Sequence, residues 1–113
     1  MISSSGVTSG SLTATNQTVT VNATADEQVG VQVTGTFVGG VTFEATIDGT
    51  NWVAVGLHPA ANAYGGGAAV ATTATAAGLW RGQVIPFLQF RVRCHSYTSG
   101  PIVVSVSEAA SGR

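Results

Sequence analysis

The residues best equipped for chemistry are few: one cysteine, Cys94, and two histidines, His58 and His95, in a chain of 113 residues. A thiolate beside an imidazole is the arrangement of a cysteine nucleophile and its base. Here, however, the two are sequence neighbours inside the alternating run Phe90-Arg91-Val92-Arg93-Cys94-His95. Successive side chains of a strand leave opposite faces, so this pair cannot meet. Cys94 therefore reads as a small core residue on the side of Phe90 and Val92. A serine hydrolase would need a G-x-S-x-G elbow and glycine-rich oxyanion donors, and the chain has neither. No H-x-x-x-H or D-x-D-x-D-G spacing offers a metal site, and a lone cysteine excludes an internal disulfide or a paired-cysteine zinc site. Gly65-Gly66-Gly67 has no following Lys-Ser/Thr and no helix to present to a phosphate. The expectation is a non-enzymatic protein with no catalytic residue, no metal and no cofactor.

Binding chemistry is better represented. Arg91, Arg93 and His95 fall on one face of a strand, with Arg81 a candidate fourth member of a positive ribbon. Such a ribbon is either a solvated outer face or a contact with Asp26, Glu27, Glu44 or Asp48 of a neighbouring subunit or with another acidic protein surface. Trp52 and Trp80 are read as core anchors, with a shallow platform for sugar stacking, completed by Tyr64, as the alternative. Nucleic acid is not an expected partner: the net charge is -1, the chain has no lysine, and its positive charges are too few to follow a phosphate backbone.

The elements that must position these residues are strands. Val19 and Val21 alternate with threonines, Val29, Val31 and Val33 with Gly30 and Gln32, and Phe43, Ala45 and Ile47 with Glu44 and Thr46. Trp52 to Leu57, Phe87 to Ser96 and Ile102 to Val106 continue the pattern, and no stretch shows the spacing of an amphipathic helix. Turn residues at Val38-Gly39-Gly40, Asp48-Gly49 and Ser99-Gly100-Pro101 predict three hairpins, the last joining 87–96 to 101–108. The loop length at Asp48-Gly49 decides whether Trp52 or the set Val53, Val55 and Leu57 shares the face of Phe43. Residues 58–78 are long for a connection and are expected to hold one short strand, near Ala68 to Thr73, and one arm. The predicted fold is all-β, a single sandwich or jelly-roll-like domain of about seven to eight strands over 17–113, preceded by an extended arm over 1–16. The opening segment has neither a basic region nor an apolar run, so no secretory signal is read there, and no stretch reaches the ~18–20 apolar residues of a membrane-spanning helix.

The segment from Thr34 to Val53, which carries F-x-x-x-x-D-G-x-x-W between Phe43 and Trp52, resembles one found in a family of small tailed-phage proteins. Gly78-Leu79-Trp80-Arg81, Phe90-Arg91-Val92-Arg93 and Tyr97-Thr98-Ser99-Gly100 extend the resemblance, which covers positions 28–108. The short element also resembles a hairpin of discoidin-like and carbohydrate-binding sandwiches. The resemblance implies a β-sandwich virion component, a capsid decoration or cement protein or a small tail or baseplate part, with no catalytic residue to carry over. Only 8% of residues are charged, so little repulsion keeps copies apart. The resulting expectation is a homo-oligomer, with a trimer as its order, made in the host cytoplasm and bound to the major capsid protein or another virion protein. Ile2, Val7 and Leu12 of the arm, His58 and Tyr64 of the long loop, and Arg81, Arg91, Arg93 and His95 are the expected interface residues. A glycan-binding adhesin module, or a tail-tube or head–tail connector part, is the alternative.

Overall fold

The computed structural model describes residues 6–23, 28–60, 70–83 and 87–109. All its regular elements are strands: β1 (Gly6–Leu12), β2 (Thr18–Asn22), β3 (Gln28–Thr34), β4 (Val38–Thr46), β5 (Val53–Ala54), β6 (His58–Pro59), β7 (Thr73–Ala74), β8 (Gly78–Gln83), β9 (Gln89–Ser99) and β10 (Ile102–Ala109). They form two antiparallel sheets, β1-β10-β3-β8-β6 and β2-β9-β4-β5, with β7 also paired to β4. The sheets stack as a sandwich, and the alternation seen in the sequence fills the space between them. Leu12, Val31, Val33, Ile102, Val104 and Val106 of one sheet meet Val41, Phe43, Phe90, Val92 and Cys94 of the other, all at most 1% exposed. The intervening Gln28, Gln32, Thr18 and Thr20 stay outside.

Two of the three expected hairpins are absent. β9 pairs with β2 and β4, while β10 pairs with β1 and β3, so Ser99-Gly100-Pro101 carries the chain from one sheet to the other. Val38-Gly39-Gly40 is not a turn but the first part of β4, where the ladder to β9 shifts register on both sides of the glycine pair. Side-chain alternation states which face of a strand is apolar, and two strands in facing sheets satisfy it as well as two strands in one sheet. Among the described residues, only β4 and β5 form a hairpin between consecutive strands. Its register sets Ala45 opposite Val53 and Glu44 opposite Ala54, a loop of odd length. Val53 and Val55 therefore lie on the side of Phe43, and Trp52 on the reverse.

The boundary of the expected arm also moves. Gly6–Leu12 is the edge strand of a sheet, paired with β10 at seven successive positions from Gly6–Glu108 to Leu12–Ile102. Small residues without a core of their own find one in β10, and Leu12 is 1% exposed. Removing residues 1–16 would therefore strip a strand, not an appendage. Within the long connection the described residues hold two short strands, His58–Pro59 and Thr73–Ala74, the second beginning at the end of the expected stretch Ala68 to Thr73, of which Ala68 and Ala69 lie outside the described residues. Leu57 and Ala71 bridge just ahead of the second strand, and residues 61–69 lie outside the described residues.

Candidate functional site

The outer face of the sheet β2-β9-β4-β5 carries the predicted arginine row, and β4 supplies its counter-charge. Register places Arg91 opposite Glu44 on one side and Thr20 on the other, with Arg93 next along. Arg91 Nε donates to Glu44 Oε1 at 2.7 Å, and Arg93 Nε donates to Glu44 Oε2 at 3.1 Å. Arg93 Nη1 also donates to Asn16 Oδ1 at 3.0 Å, an asparagine in the left-handed backbone region. The Arg91 guanidinium lies 4.1 Å from the centroid of Trp52, which fixes its plane by a cation–π contact. Further along, Thr42 Oγ1 and His95 Nδ1 are 2.8 Å apart. A Cβ on Gly40 would meet that imidazole at 2.8 Å, so the glycine is what lets the ring lie on β4.

Glu44, one of the acidic residues assigned to a neighbouring subunit, thus serves the arginines of its own chain. The positive ribbon is a three-membered ion cluster covered by an indole, and Glu44 is only 7% exposed. Glu44→Gln keeps the shape and removes the charge. It is expected to lower stability by about 1–2 kcal/mol, the value of hydrogen bonds between ionised groups discounted for the partial hydration of both arginines. The urea midpoint should fall with the slope unchanged. A loss below about 0.3 kcal/mol would make the cluster an ordinary solvated surface pair.

Arg81 does not join this row: it lies on β8 in the opposite sheet, facing Gly30 and the exposed His58 in register. Trp80, also on β8, turns into the sandwich, where its ring stands 5.5 Å from that of Phe43 at an interplanar angle of 52°. The two tryptophans therefore do not form a shared platform, and Tyr64 lies outside the described residues, as do Ile2, Asp26 and Glu27. Of the other expected interface residues, Val7 is exposed on β1 and Leu12 is in the core. Cys94 and His95 leave opposite faces, as expected. Burial pushes the Cys94 thiol up, and its Sγ lies 3.3 Å from the Ser96 carbonyl oxygen, so it stays protonated inside the sandwich.

A second feature escaped the sequence reading. At one end of the sandwich Ala45, Ile47, Val53, Val55 and Phe87 line an apolar depression of about 400 Å³. Ile47 and Val53 stand at 68% and 66% exposure on its rim. The signal was present in the apolar residues on both sides of the β5 strand, but the hairpin register had to be known before Ile47 and Val53 could be placed together.

Asp48, also on this rim, is occupied by its own turn. Its Oδ1 accepts the backbone N–H groups of Thr50 and Asn51, both at 2.8 Å, and the Thr46 hydroxyl at 3.1 Å, while Oδ2 accepts Asn51 Nδ2. These bonds, the Asn51 backbone N–H first, hold its carboxyl well below the usual carboxylate range. The unfolded chain, with an ordinary aspartate near pKa 3.9, binds the proton more readily. The turn's contribution is therefore complete above about pH 4 and is lost progressively as the pH falls below it. Asp48→Ala should flatten the acid limb of the stability profile, a change read by thermal melts from pH 5 to pH 2. An unchanged acid limb would show that the turn does not hold the carboxylate. The Asp48 carboxylate is thus satisfied by its own turn, and the rest of the depression is lined mainly by apolar side chains.

Among the described residues no group of three or more histidine, cysteine or acidic side chains could hold a metal. No family model matches the chain, and no curated protein matches it. Solved structures do match in fold. The SPBc2 prophage-derived protein YomS superposes with a TM-score of 0.73 at 11% identity, over 96% of this chain and 97% of that one. The PBSX exported protein XepA superposes with a TM-score of 0.74 at 13% identity, over 97% of this chain but only 40% of its own. The chain thus has the β-sandwich fold of a whole small prophage-derived protein and of part of a larger exported one.

Proposed function

We propose that this chain is a non-enzymatic structural protein of a tailed phage, a capsid decoration or cement protein that stabilises the head through contacts between subunits. The observation that carries the reading is the end-to-end correspondence with YomS, a protein described as prophage-derived, over 96% of this chain and 97% of that one. The phage-like segments between positions 28 and 108 agree with it. The surface chemistry supports a binding role: a charge-poor exterior, an apolar depression with an exposed rim, and a cysteine withdrawn into the core. In this reading the protein is made in the host cytoplasm, associates with copies of itself, and adds buried area across the seams of the shell by seating apolar groups of the major capsid protein.

The test is particle composition. Density-gradient-purified particles from the producing host, separated into heads and tails, are probed with an antibody to the chain and by quantitative mass spectrometry. A copy number that scales with the capsid lattice in the head fraction is the expected result. Confinement to tails would replace the decoration role by a tail part, and absence from particles would overturn the virion assignment.

A further inference from the structure

We infer that β1 is a pairing edge, and that two copies of this chain join through it into one continuous sheet. The inference rests on the self-association in the proposed function and names the surface that performs it.

Each sheet of an open sandwich has two edges with unpaired backbone N–H and C=O groups, and proteins that remain single blunt them with brevity, proline, bulges or charge. Among the described residues, two of the four edges are blunted by brevity. β5 and β6 are two residues each, and β6 ends on Pro59. β2 is shorter than β1, at five residues, and lies beside the Arg91–Arg93 row of β9. β1 has none of these protections. It is seven residues long, holds no proline and no charged residue, and its ladder to β10 runs without a register shift. Among the described residues no backbone hydrogen bond ties its other side to any element.

The occupant follows from self-complementarity. An antiparallel copy centred on Ser9 sets Val7 opposite Ser11 of the second chain, twice, and Ser9 opposite Ser9. Val7, Ser9 and Ser11 share the outer face, beside the equally uncharged Val103, Ser105 and Ser107 of β10. Val7 is 69% exposed in the single chain, and the small serines let the two backbones approach to ladder distance. No like charge opposes the pairing. The contact is twofold and uses up the edge on both chains, so it closes as a dimer and does not grow into a filament. The result is one sheet of ten strands, five from each copy. In this proposal the copies associate in pairs, where the sequence reading expected a trimer.

The experiment measures the solution mass of the full-length wild-type protein and two double variants by light scattering behind size exclusion, from micromolar to several hundred micromolar. The wild type should be a dimer. Val7→Lys with Ser11→Lys sets like charges opposite one another across the seam and should weaken the dimer at least tenfold. Val7→Glu with Ser11→Lys sets opposite charges there and should keep it. A wild-type oligomer unaffected by the lysine pair, or one of odd order, would overturn the edge while leaving self-association standing. A wild-type monomer throughout would overturn both. Circular dichroism checks the fold of each variant. If the lysine pair fails to fold, amide exchange of the wild type decides: β1 amides should be protected at high concentration and exchange faster on dilution, and concentration-independent exchange would overturn the edge.

Discussion

Phe43→Ala is expected to cost about 3–5 kcal/mol of folding stability, the range for truncating a buried aromatic side chain. Phe43 is fully buried in the middle of β4, opposite Val92 in the ladder and in tilted contact with Trp80 of the facing sheet. It thus belongs to both layers, and its removal takes away transfer free energy and leaves a void that neither sheet can close without moving against the other. A domain of this size has roughly 5–15 kcal/mol in total, so the variant should sit at the margin of folding at 37 °C. Urea titration followed by circular dichroism and by tryptophan emission should give a lower midpoint at an unchanged slope. Trp80, having lost its ring partner, should also emit from a wetter environment in the folded variant. A loss below about 1 kcal/mol would mean that the sheets are not locked together at this point.

That inter-sheet contact shows how far the sequence could be read. Period-two alternation identified the inward residues of β2, β3, β4, β9 and β10, because burial of one face is a local property of a strand. Strand partners are not local. Ser99-Gly100-Pro101 has turn chemistry, and turn chemistry fits a passage between sheets as well as a hairpin within one, so β9 and β10 were expected side by side and lie in opposite layers. The same limit applied to the surface. Arg91 and Arg93 were legible as one face, but their carboxylate partner is 47 residues from Arg91 and could be assigned only once β4 was known to lie beside β9. Gly6–Leu12 was the hardest segment, since serines, threonines and glycines carry no periodic signal until a partner strand gives them a register.

Gly100→Ala should be the most damaging single methyl addition in the described part of the chain, and its effect comes from that passage between sheets. Gly100 has φ +78°, a left-handed conformation that costs an alanine about 1–2 kcal/mol by itself. Its added Cβ would also overlap the carbonyl oxygen of Thr36 and lie 2.9 Å from the Cα of Phe37. Both are backbone atoms of the connection from β3 to β4, which cannot rotate out of the way as a side chain would. The contact is reciprocal: Gly35 has φ +106°, and a Cβ there would meet the Pro101 carbonyl oxygen at 2.6 Å. Two passages between the sheets are therefore packed directly on one another, with glycines where they touch. A cost of roughly 3 kcal/mol or more follows from conformational strain and backbone displacement together. Gly49→Ala provides the control. Its φ of +82° is equally left-handed, but the nearest atom to an added Cβ is a Leu88 methyl at 3.5 Å, an ordinary contact. That variant should lose only the conformational term, about 1–2 kcal/mol. The difference between the two melting temperatures thus isolates the packing of one passage against the other, and equal losses would show that the two connections are not held together.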